Sequence, residues 1–158
     1  MLVLAFDPGT HTGVARYDTL APLERGSLHT LTVSAVSPDN NANVYQDLWR
    51  LLSTVGDYKL RGLTVTIVIE RFNTVSAGVA ASKDGIFTQK LCGFLEGVAL
   101  CMGYIVVWQT PTARKAFEDR AKDLLRNRDS TVHEVSATAH LLAYVDRTLT
   151  HVNAVKID

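Results

Sequence analysis

Two carboxylates stand at the ends of apolar runs. Asp7 follows Leu2-Val3-Leu4-Ala5-Phe6, and Glu70 follows Leu63-Thr64-Val65-Thr66-Ile67-Val68-Ile69. Each run is short and largely aliphatic, so each reads as a buried strand that delivers its acid at one end. Helical crossovers tend to make such strands parallel neighbours. Two carboxylates at matching ends of neighbouring strands repel unless something neutralises them. A divalent cation is one answer, because Mg²⁺ takes a few carboxylate oxygens and keeps several waters. The plainer answer gives each acid a nearby base, such as Arg71 or Arg16, and makes Asp7 the capping residue of a Pro8-Gly9 turn. Residue types and spacing leave both open.

Positioning these acids is work for one folded unit. The 158 residues form a single expected domain, 1–158, of ordinary globular composition and without repeats or linker-like segments. Formal net charge is zero, which removes any global basic signal for nucleic acid but allows a local patch. Cys92 and Cys101 share one apolar segment without metal-ligand spacing, so buried thiols in a reducing compartment are expected. The N-terminus enters a strand at once, with no basic region before it, and a cytoplasmic location is expected. Leu91 to Trp108 carries only Glu96 as a charge and approaches the length of a membrane span. Gly103 splits it, however, and Tyr104–Trp108 is β-branched and aromatic. A buried helix running into a buried strand is the better reading, with no membrane partner.

In chain order, the first run turns at Pro8-Gly9 into Val14–Tyr17 as a β-hairpin, and Gly26–Val33 supplies a third strand. Ser37–Asn41 is a loop and helix start, and Val44, Leu48, Leu51, Leu52 and Val55 recur at helical spacing until Gly56. After the Glu70 strand, Asn73–Asp84 is a Ser/Ala/Gly-rich loop. Ile86, Phe87, Leu91, Phe94, Leu95, Val98 and Met102 make a helical stripe, on which Gly93 and Gly97 leave a shallow groove. Tyr104–Trp108 is the fifth strand. Pro111 opens a polar helix to about Arg126, and Asp129-Ser130-Thr131 caps a final helix that gives way to a loose tail after Leu149. The order is that of an α/β domain, a mixed five-stranded sheet flanked by helices.

With these elements in place, the chain resembles the RuvC Holliday-junction resolvases. The resemblance rests on Asp7-Pro8-Gly9 closed by Gly13, on Ile69-Glu70 at a strand end, and on a final helix opening His133-Glu134-Val135-Ser136-Ala137. The turn is one residue shorter than the family's usual form. The order of elements matches the family's RNase H-like fold over nearly the whole chain, and the length suits compact bacterial and phage-encoded members. The resemblance implies a homodimeric, Mg²⁺-dependent endonuclease (Mn²⁺ as a substitute) that nicks four-way DNA junctions in the cytoplasm of a bacterial or phage-infected cell. Asp7, Glu70 and His133 would be metal ligands in a two-metal hydrolysis, where one ion supplies hydroxide and the other stabilises the leaving oxygen.

Ser136 departs from the family, which has an Asp there. Positions 133 and 136 share a helical face, so the spacing is kept and only the anionic ligand is missing. A hydroxyl is a poor Mg²⁺ ligand beside a carboxylate. Glu134, about 200° around the helix from 136, points elsewhere. The expectation is therefore a chain that binds junctions and cleaves feebly or not at all, with Ser136→Asp raising metal-dependent nicking. His140, one turn after Ser136, is read as a helix-core or interface histidine rather than a ligand.

Between Pro111 and Arg128 six bases outnumber three acids, in an otherwise balanced chain. As a solvated helix this segment would carry i,i+4 pairs such as Glu118–Lys122. As a DNA surface it would set Arg114, Lys115 and Lys122 on phosphates beside the acids. Phe72 would stack on an unpaired base at the junction centre, with core packing as the alternative. Lys83 and Lys90 would meet phosphate, and the Gly93–Gly97 face would pack a dimer. Two other function classes fit parts of the same sequence. A non-cleaving junction-binding protein of the same fold is separated from the nuclease by metal affinity and nicking. An actin-like or sugar-kinase-like phosphotransferase shares the Asp-x-Gly-Thr hairpin but needs a second domain for which the chain has no room.

Overall fold

The first apolar run is hydrophobic on both faces because it becomes the central strand of a sheet covered on both sides. A computed structural model describes residues 1–20, 22–24, 27–34, 42–71, 82–126 and 128–154. Its five strands are β1 (Leu2–Asp7), β2 (His11–Asp18), β3 (Leu28–Ser34), β4 (Val65–Glu70) and β5 (Ile105–Gln109), in the spatial order β3-β2-β1-β4-β5. The first three pair antiparallel, while β1–β4 and β4–β5 are parallel, so the sheet is mixed as expected.

The helices form two layers. On one face, α1 (Ala42–Thr54) and α3 (Lys83–Cys101) bury Val44, Leu48, Leu52, Phe87, Leu91 and Leu95 against Leu2, Leu4 and Phe6 of β1. On the other, α6 (Val132–Ala154) sets Ala137, Leu141 and Val145 against Val3 and Ala5. Leu125 of α5 (Glu118–Leu125) packs on that side too. Alternate residues of one strand thus feed two cores.

Helix α3 ends in a Schellman motif: Gly103 has φ +66°, the Tyr104 N–H bonds Ala99 O at 2.9 Å and the Gly103 N–H bonds Leu100 O at 2.9 Å. That reversal turns the span-like segment into helix and strand. Among the described residues no helix is long and apolar enough to cross a membrane.

Several expectations are corrected. Strand β2 starts at His11, well before Val14, because its pairing with β3 continues to Ser34. Gly56 does not end helical structure but begins a second short helix, α2 (Gly56–Leu60). Ser82 caps α3 by accepting the Gly85 N–H at 3.0 Å, which moves Lys83 and Asp84 from the loop into the helix. The single polar helix becomes α4 (Pro111–Arg114), a 3₁₀ turn at Lys115–Phe117, and α5. The tighter turn lets Phe117 pack on the Ala121, Ala139 and Leu142 cluster. Where a loose tail was expected after Leu149, α6 continues to Ala154, and 155–158 lie outside the described residues. Cys92 is buried but Cys101 is exposed. Phe72, most of the Asn73–Asp84 loop and the Ser37–Asn41 helix start lie outside the described residues.

Candidate functional site

Parallel register brings the two acids together. Phe6 pairs with Ile69, so Asp7 and Glu70 follow matched positions on β1 and β4, and Glu70 in turn pairs with Gln109 on β5. Three side chains of α6 face them: His133, Ser136 and His140. His133 Nδ1 lies 3.1 Å from Asp7 Oδ2, and the Ser136 hydroxyl donates to Glu70 Oε2 at 3.5 Å. His140 is fully buried, with Nε2 2.7 Å from Glu70 Oε2 and Nδ1 2.7 Å from Gln109 Oε1.

The approach of α6 depends on Gly13. This residue sits opposite Asp7 in the hairpin, and a Cβ there would fall on the carbonyl of His133 and crowd the Glu134 nitrogen. Its missing side chain is the clearance through which the start of α6 reaches Asp7. Thr12 stiffens the turn by donating its hydroxyl to Gly9 O at 2.8 Å. Glu134, as helical geometry requires, turns away and accepts hydroxyl bonds from Thr30 at 3.0 Å and Thr32 at 2.9 Å on β3.

The two carboxyls have different surroundings. Burial raises the Asp7 pKa above its ordinary value, and the charge of Glu70 raises it further, against the opposing pull of His133 and Ser136. For Glu70 burial is also the largest influence, and an upward one. The His140 bond and charge, together with Arg114, outweigh it and hold the pKa below the ordinary value. Of the pair, Asp7 is therefore the more readily protonated and Glu70 the more readily ionised. Arg114 of α4 places Nε 3.6 Å from Glu70 Oε2 and Nη1 3.3 Å from Glu118 Oε1. That Nε is buried without a hydrogen-bond partner.

The donor chemistry suits a hard divalent cation: two adjacent carboxylates, the charge of Glu70 raising the cost of ionising Asp7, with a hydroxyl and an imidazole beside them. They are not a ready-made triad. Among the described residues no three His, Cys, Asp or Glu side chains are grouped to hold a metal, because His133 engages Asp7 while His140 engages Glu70. The plainer base partners are not used as anticipated. Arg16 donates to the Tyr58 hydroxyl at 2.9 Å, and the guanidinium beside Glu70 is Arg114 rather than Arg71.

Of the residues expected to contact DNA, Arg114 turns inward to Glu70, while Lys115 and Lys122 lie exposed on the 3₁₀ turn and α5. Lys122 pairs with Asp119 at 3.4 Å, not with Glu118, which Arg114 has taken. Lys83 and Lys90 lie on the exposed side of α3. The Gly93–Gly97 groove is open, with nothing within 4 Å of a built Cβ at either position. Sequence reasoning missed the bond from His140 to Glu70 and overlooked Gln109. Two signals were available: His140 is one turn beyond Ser136, and Gln109 closes the fifth apolar run as Glu70 closes the fourth. A 620 Å³ cavity lined by Ser53, Gly56, Asp57, Lys59, Leu60, Met102 and Tyr104 lies toward the other end of the sheet, away from the acids.

No family model and no curated protein matches the sequence. Among solved structures the chain is similar to RuvC of Thermus thermophilus at 18% identity and a TM-score of 0.66, over 95% of this chain and 98% of that one. It is similarly close to T. thermophilus RuvC in complex with Holliday junction substrate, at 18% identity, a TM-score of 0.65 and 96% of each chain. The likeness shows that the chain has the RuvC, RNase H-like fold.

Proposed function

We propose that this chain is a structure-selective endodeoxyribonuclease acting on four-way DNA junctions, dependent on Mg²⁺ or Mn²⁺ and slowed by serine at position 136. The observation that carries this reading is the Asp7–Glu70 pair, two acids held at matching strand ends under one face of α6. Asp7 and Glu70 would hold the cation, with His133 alongside. Bound there, it would activate a water and polarise a phosphodiester. A cation at Asp7 would compete with a proton for the same oxygen. The Arg114 guanidinium beside Glu70 lowers the cost of bringing phosphate toward two acids. Lys115 and Lys122 would hold the flanking backbone, Lys83 and Lys90 of α3 and Phe72, earlier in the sequence, would meet the junction, and the open Gly93–Gly97 face would join two copies.

The test is binding and cleavage of a four-way junction and a linear duplex, with Mg²⁺ and with EDTA. The expected result is junction-selective binding in both conditions and slow nicking with Mg²⁺ alone. Ser136→Asp should nick faster, and Asp7→Asn should bind without nicking. Nicking at equal rates by the chain and Ser136→Asp would remove the serine from the account. The second reading, a non-cleaving junction binder, is favoured by the neutral Ser136. It stands if binding is selective and neither the chain nor Ser136→Asp cuts.

A further inference from the structure

We infer, on the reading of the site as a metal-dependent nuclease centre, that His140 and Gln109 are positioning residues, a buried chain that fixes the Glu70 carboxylate for a divalent cation. Glu70 is the last residue of β4 and Gln109 the last of β5, and the two are register partners in the parallel ladder. Their side chains therefore leave the sheet on the same face. His140 bridges them from α6: Nδ1 lies 2.7 Å from Gln109 Oε1 and Nε2 lies 2.7 Å from Glu70 Oε2. A carboxylate only accepts, so Nε2 carries the hydrogen that joins the ring to Glu70. The Gln109 amide has an acceptor at one end and donors at the other, so it suits Nδ1 in either protonation state.

The surroundings mark this chain as more than filling. His140 has no exposed surface, Gln109 is nearly as buried, and Ala139 and Leu141 beside the histidine are core residues. Burying an imidazole and an amide costs free energy that two aliphatic side chains there would not. Their mutual bond and the bond to Glu70 offset that cost, and the second of these ends on a proposed metal ligand. The ring engages Oε2, so it orients the carboxylate without occupying Oε1.

Orientation matters more for Glu70 than for Asp7. A glutamate reaches its site through several single bonds, whereas Mg²⁺ takes ligands in near-octahedral geometry at about 2.0–2.1 Å. Glu70 also ends its strand with its side chain part-exposed, so the sheet fixes the backbone but not the carboxylate. With a neutral hydroxyl at 136, capture of an ion depends chiefly on the aim of the two acids. Outer hydrogen-bond partners of metal ligands supply such aim, and removing one typically costs about 10–100-fold in affinity or activity.

Titration of the full chain with Mn²⁺, the free ion followed by electron paramagnetic resonance, tests this role separately from cleavage. His140→Leu, checked for folding by circular dichroism, is expected to bind Mn²⁺ about 10–100-fold more weakly. His140→Gln, whose amide N–H reaches about as far as the imidazole Nε2, should recover most of that loss. Gln109→Leu keeps the ring and removes only its anchor, and should weaken Mn²⁺ several-fold. Without metal, proton–nitrogen NMR should show a slowly exchanging His140 ring N–H whose resonance moves in Glu70→Gln. Unchanged or tighter Mn²⁺ binding by folded His140→Leu overturns the inference while leaving the nuclease reading intact. So does His140→Gln binding as weakly as His140→Leu, since a donor toward Glu70 would then not be what matters. If His140→Leu does not fold, Gln109→Leu decides, and an unchanged affinity there overturns the inference. A ring resonance indifferent to Glu70→Gln removes the contact and the inference with it. Failure of the unaltered chain to bind Mn²⁺ at all overturns the inference together with the nuclease reading.

Discussion

Asp7 and Glu70 are the same functional group made different by their neighbours. Glu70 is surrounded by donors and stays ionised, while Asp7 carries the burden of burial beside it. Removing the Asp7 charge should therefore stabilise the metal-free protein. Asp7→Asn is expected to gain about 1 kcal/mol, within the range found when function-imposed strain is released. That is roughly 2–4 °C in Tm for a chain of this size, measured by thermal melting in EDTA. The gain should depend on pH. An acid whose pKa is higher folded than unfolded contributes stability that is present below its unfolded value, here 3.8, and lost as pH rises through the folded pKa. The advantage of Asp7→Asn is thus largest near neutrality and shrinks as pH falls toward the ordinary carboxylate range. Glu70 runs the opposite way: its contribution is present above 4.5 and lost as pH falls through the lowered folded pKa. Glu70→Gln should accordingly destabilise at neutral pH, and melts of the two variants from pH 7 down to about 4 separate the signs.

At the scale of elements, the site depends on how closely α6 rests on the hairpin. Gly13→Ala would push the start of α6 outward, and overpacking of this kind costs about 1–3 kcal/mol. Chemical denaturation should register that loss, and the NMR shifts of His133 should move with it. Unchanged stability would mean that α6 is free to retreat. The sequence showed Gly13 as the close of a turn motif, but its role as clearance for a helix beginning 119 positions later needs the packing. The strands were legible because β1 and β4 are central and apolar throughout, leaving little ambiguity of period. The break between α4 and α5 was not legible, since Phe117 leaves the polar face only for a core patch that α6 brings. His140 was read correctly as a core residue, yet its partners Glu70 and Gln109 come from two other strands. No spacing within α6 announces them.

Across the whole molecule, a formal charge of zero means that the proposed DNA affinity would come from local arrangement. Lys115 and Lys122 lie exposed on the 3₁₀ turn and α5, and each phosphate contact should add about 1 to the slope of log K against log salt. Replacing both with alanine is expected to weaken junction binding and reduce that slope by roughly 2, read from fluorescence anisotropy over a salt series. An unchanged slope would move the phosphate surface elsewhere, with Lys83 and Lys90 on α3 next to be tested. The two-layer sheet also explains why the acids persist so close together. β1 and β4 are anchored by cores on both faces, so local repulsion cannot separate them.

The position of α6 in the chain has a consequence for the order of assembly. Both acids belong to the sheet, but His133, Ser136 and His140 all arrive on this one helix, which also supplies Ala137, Leu141 and Val145 to the core. A polypeptide leaving the ribosome therefore has its carboxylates well before it has the groups that engage them. Any later excursion of α6 from the sheet withdraws all three at once. The helix acts as a latch, and occupation of the site by Mn²⁺ should slow amide exchange along Val132–His140 more than along α1.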